Sequence, residues 1–85
     1  MTKAEKNQEV TRMFYEFIES KNFEAHDEGH GYWYVYPKIA PFSTTMFQVT
    51  RTFEVNTFGC ESEHVLEFAD ILKEKLNVYI ATVNL

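Results

Sequence analysis

The chain has 85 residues, 45% of them hydrophobic and 16% aromatic, and its eight basic and thirteen acidic side chains leave a net charge of −5. This length suits one domain with a modest core, the composition excludes a disordered tail, and the charge opposes direct binding to a phosphate backbone. A single cysteine excludes an internal disulfide, and the polar start MTKAEKNQEVTR and the lack of an apolar run of ~20 residues point to a cytoplasmic protein with no membrane partner.

Thr2 and Glu5 have capping-box spacing, so a helix is expected to start there. Val10, Met13, Phe14, Phe17 and Ile18 then recur at helical spacing, a single apolar stripe ending near Asn22. Phe23 to Tyr36 reads as a hairpin around DEG, with Gly29 in the left-handed conformation and His26 near His30 across the turn. Pro37 and Pro41 bracket a loop, PKIAPFST. TTMFQVTRTFEV alternates with period two and predicts one long strand with Phe47, Val49, Arg51, Phe53 and Val55 on the same face.

NTFGC turns the chain, and Ser62 is placed to cap a second helix whose Val65, Phe68, Ala69, Leu72 and Leu76 face inward. VYIATV, rich in β-branched residues, reads as a final strand. The expected fold is α+β, in the order α-β-β-β-α-β. Two helices would pack on one face of a mostly antiparallel four-stranded sheet, as a single compact domain over residues 1–85.

In HGYWYVYPKIAPF the strand period places Tyr32, Tyr34 and Tyr36 on the face opposite Trp33 and Val35. If the helices cover Trp33, the tyrosines project from the uncovered face beside Gln48, Thr50 and Thr52. Rings that pack while their hydroxyls hydrogen-bond suit a contact surface, and equally a solvated sheet held by cross-strand pairs. Base stacking lacks the basic rim it needs. Ile39 and Phe42, held by two prolines, either present a rigid apolar tip or plug the end of the core. Arg51 is expected to reach the sheet edge or pair with a carboxylate.

Glu63, Glu67, Asp70 and Glu74 fall at i, i+4, i+7 and i+11 of the second helix, four carboxylates on one side at ~5–6 Å intervals. Glu5, Glu9, Glu16 and Glu19 nearly repeat this on the first, interrupted by Arg12. Like charges so spaced cost a helix ~0.2–0.5 kcal/mol per pair, and carboxylates along a rod resemble a phosphate series. The outer face of any helix in an acidic protein also tends to look like this.

Every His and Cys lies in one of two pairs of equal gap, His26/His30 and Cys60/His64. Together they have the donors of a tetrahedral zinc site but no zinc-binding spacing. Cys60 ahead of a helix, with His64 as base, is a minimal nucleophile arrangement without an orienting third group. No metal, cofactor or catalytic residue is therefore assigned.

The sequence reading is a non-catalytic binding module that occupies a basic protein surface, such as that of a nucleic-acid-binding protein. In size and charge it is similar to phage-encoded inhibitors of host nucleases and CRISPR effectors, with no shared motif. The alternative is a homo-oligomer, such as a homodimer, that buries Tyr32, Tyr34 and Tyr36, with room for a small-ligand pocket or a structural zinc.

Overall fold

Residues 1–39 and 41–85 are described by the structure, a computed structural model. The Thr2 hydroxyl accepts from Glu5 N–H at 3.2 Å and the Glu5 carboxylate accepts from Thr2 N–H at 2.9 Å, so the expected capping box opens α1 (Lys3–Ser20). Such a cap is worth ~1 kcal/mol. Val10, Phe14 and Ile18 are fully buried, with Met13 and Phe17 packed around them. Asn22 then takes the left-handed conformation, φ 61, which its short polar side chain tolerates. The chain turns directly into β1 (Phe23–Asp27).

β1 pairs with β2 (Tyr32–Pro37), β2 with β3 (Phe47–Thr50), and β3 with β4 (Val55–Asn56), giving an antiparallel meander β1-β2-β3-β4. The first hairpin loop is longer than DEG alone. It runs from Glu28 to Gly31, with Gly29 and Gly31 both at positive φ (78 and 88) and Gly29 N–H donating to Asp27 Oδ1 at 2.8 Å. The register therefore sets His26 opposite Tyr34 instead of His30.

The expected long strand is also interrupted. Thr50 N–H donates to Glu54 O at 2.9 Å and Phe53 N–H to Thr50 O at 2.9 Å, closing a tight turn over Arg51–Thr52–Phe53. Phe53 holds its left-handed position, φ 66. Three-residue hairpin loops place such a residue there, usually glycine. TRTFE carries no Gly, Pro or Asn, so its alternation passed through the turn unmarked.

Ser62 Oγ accepts from Val65 N–H at 3.4 Å and caps α2 (Glu63–Thr82), which buries Val65, Phe68, Ala69, Leu72 and Leu76 as expected. VYIATV is not a strand but the last turns of this helix. No Gly or Pro separates Leu76 from Val78, and Tyr79, Ile80 and Val83 extend the helical spacing of Leu72 and Leu76 onto the core. Tertiary packing of that stripe overrides β propensity. The order is α-β-β-β-β-α, still two helices on an antiparallel four-stranded sheet, with Val55–Asn56 supplying the fourth strand.

The helices run antiparallel: Lys6 Nζ donates to Asn84 O at 3.0 Å near one end, and Phe17 stacks on Phe68 at 5.7 Å near the other. Phe23 stacks on Phe68 at 3.9 Å and Phe14 packs on Trp33 at 5.0 Å. Much of the aromatic content thus fills the layer between helices and sheet. Among the described residues no helix is long and apolar enough to cross a membrane.

Candidate functional site

Strand alternation decides which rings remain outside. Trp33 and Val35 point into the core, so Tyr32, Tyr34 and Tyr36 lie half-buried on the opposite sheet face. Register adds Glu24 beside Tyr36, His26 and Gln48 beside Tyr34, and Thr50 beside Tyr32. The Tyr32 and Tyr34 hydroxyls lie 3.3 Å apart with their rings edge to face at 5.3 Å. That hydrogen bond, with partial burial and the Glu28 carboxylate, pushes the Tyr32 phenol up. Desolvation, then Glu24 and Glu28, raise Tyr36.

A shallow concavity of about 410 Å³ opens on this face, lined by His26, Glu28, Tyr34, Tyr36, Pro41 and Met46. Sequence reasoning singled out the tyrosines but not Glu24, Glu28 or Met46. Period two in FEAHD would have placed Glu24 and His26 beside them. The alternation of TTMFQVTRTFEV already puts Met46 on the same face as Gln48, and tertiary structure adds Pro41.

The second surface lies on the other side of the molecule. The buried residues of α2 face the sheet, so Glu63, Glu67, Asp70 and Glu74 project outward and are all exposed. Among the described residues no ion pair reaches any of the four.

On α1 the similar series is consumed internally. Glu5 closes the capping box, Glu9 and Glu16 flank Arg12, and Glu19 accepts from Lys38 Nζ at 2.7 Å. Hydrogen bonds from Thr2 and Arg12 hold the Glu5 and Glu9 carboxyls below the usual range. The expected pair of acidic helices therefore reduces to one with unpaired charge, α2.

Ile39 and Phe42 do not plug the core: they are 83% and 64% exposed. Glu61 N–H donates to Thr44 O at 2.9 Å, tying their loop to the segment that carries Phe58, itself 94% exposed. Phe58 was not anticipated, because NTFGC reads simply as a turn. Arg51 does pair with a carboxylate, Asp27, and its guanidinium lies 4.2 Å from the Trp33 ring centroid.

The histidine and cysteine pairs do not converge. His26 Nε2 is 3.5 Å from Glu28, His64 is exposed at the start of α2, and Cys60 is half-buried against the core. Among the described residues no group of three His, Cys, Asp or Glu side chains is arranged to hold a metal ion. No protein-family model, curated protein or solved structure matches the chain.

Proposed function

We propose that the protein is a non-catalytic, cytoplasmic binding module that occupies a basic groove on a nucleic-acid-binding protein, presenting α2 as a substitute for a phosphate backbone. One contrast carries the reading. Every carboxylate of the α1 series is capped or ion-paired, whereas Glu63, Glu67, Asp70 and Glu74 are all exposed with no cation paired to them among the described residues.

From Glu63 to Glu74 the helix rises about 16 Å, one charge per ~5 Å. This is coarser than the ~3.4 Å axial spacing of phosphates along one strand, yet it is rigid and needs no ordering on binding. An acidic face of this kind also speeds encounter with a basic partner. Small size and net negative charge are shared with inhibitors of host nucleases and CRISPR effectors, which supports an anti-defence role by analogy.

The test is capture of partners on immobilised protein, followed by elution with double-stranded DNA. Mimicry predicts basic proteins that DNA releases and that the E63Q/E67Q/D70Q/E74Q variant fails to capture. Partners retained equally by that variant would remove the reading.

A homodimer across the tyrosine face is the second reading. Three part-exposed rings on an uncovered sheet favour it. Light scattering at micromolar concentration decides, since a strict monomer excludes it.

A further inference from the structure

We propose that the concavity on the tyrosine face is a binding site for the guanidinium of an arginine side chain presented by a basic polypeptide. The site goes beyond the α2 surface, lies on the opposite side of the two layers and needs no contact with it.

Three observations carry the proposal. The lining of the ~410 Å³ concavity comprises two phenol rings (Tyr34, Tyr36), an imidazole (His26), a thioether (Met46), the proline ring of Pro41 and the Glu28 carboxylate. Aromatic faces attract cations, arginine most often, and a carboxylate accepts its forked donors.

The chain's own cations are engaged or placed elsewhere. Among the described residues no Lys or Arg lines the concavity. Lys3, Lys6 and Arg12 lie on α1, with Lys21 as its C-cap, and Lys73 and Lys75 lie on α2. Lys38 binds Glu19 and feels Glu24 more weakly, and Arg51 binds Asp27. Glu24, across from Tyr36, adds a second carboxylate to the field over these rings.

The protein also builds the same triad internally. Arg51 lies over the Trp33 ring at 4.2 Å while paired with Asp27. The tyrosine face repeats the ring and the carboxylate without the cation. Guanidinium suits it better than ammonium, because a planar group stacks between rings while donating sideways to Glu28. The imidazole of His26, 3.5 Å from Glu28, is the internal competitor.

The probe is N-acetyl-arginine amide, followed by two-dimensional NMR near neutral pH, with N-acetyl-lysine amide and tetramethylammonium as comparison ligands. Expected are shifts confined to His26, Tyr34, Tyr36 and Met46, with an affinity on the order of millimolar for so small a ligand. Lysine amide should bind several-fold more weakly. E28Q, an exposed loop substitution that leaves the core intact, should weaken arginine amide about tenfold. Y36A should abolish it while Trp33 fluorescence remains native.

The E63Q/E67Q/D70Q/E74Q variant should bind arginine amide like the wild type, so loss of the α2 reading leaves this site standing, and the reverse. Shifts elsewhere, no saturable binding, tetramethylammonium binding as well as arginine amide, or self-association covering these residues would each overturn the proposal.

Discussion

Replacing Phe53 by glycine sets two opposing effects against each other. Phe53 is a non-glycine residue at φ 66 in the β3–β4 turn, and its ring, 6% exposed, stacks toward Trp33 with centroids 6.1 Å apart. Relief of the left-handed backbone favours glycine by ~1–2 kcal/mol, but the extra freedom of glycine in the unfolded chain takes back ~0.5–1 kcal/mol. Losing a buried phenyl costs ~3–5 kcal/mol, and the lower end applies at this rim position. Packing therefore wins, and F53G should be destabilised by ~2–3 kcal/mol, a fall of roughly 10–20 °C in Tm for a domain of this size.

The assay is urea unfolding followed by Trp33 fluorescence. Trp33 is the sole tryptophan, is 2% exposed and is in ring contact with the altered site. F53G as stable as the wild type, or more so, would refute the reasoning, because it would mean that the ring contributes no packing to offset its strained backbone.

Asp27 gives a pH test. The Gly29 N–H first, and Arg51 second, hold its carboxyl below the ordinary value of 3.8. A lowered folded pKa means that its stabilisation is fully present above the unfolded value and is lost as pH falls through the folded one. D27N should therefore flatten the decline in stability below about pH 4, read by fluorescence at a series of pH values. An unchanged profile would contradict it. Charge on the helices gives the other pair: E67Q removes two like-charge neighbours, Glu63 and Asp70, and should raise Tm by a few degrees at low salt, a gain that fades at high salt. E9Q, which breaks a pairing with Arg12, should lower it.

The helical stripes, caps and core were readable because their signals agree: Val10–Phe14–Ile18 and Val65–Phe68–Leu72–Leu76 combine period with capping residues. Two elements misled for definite reasons. VYIATV has strand propensity inside a helical stripe, and TRTFE turns without a turn residue because Phe53 trades backbone strain for burial. At the candidate surfaces the outward tyrosines and α2 carboxylates were legible from period alone. The capping of Glu5 and the local pairing of Arg12 were legible too, whereas the neutralisation of Glu19 was not, since it meets Lys38 from a distant loop. The concavity was partly hidden: period two places Met46 on the tyrosine side, but Pro41 reaches it only through tertiary structure.

The central claim is that the unpaired α2 carboxylates bind a basic partner. Its most direct measurement is the salt dependence of affinity for a captured partner, wild type against E63Q/E67Q/D70Q/E74Q. The account predicts a steep loss of wild-type affinity with added salt and, for the variant, a much weaker and nearly flat response. Equal affinities and equal slopes for the two proteins would contradict it.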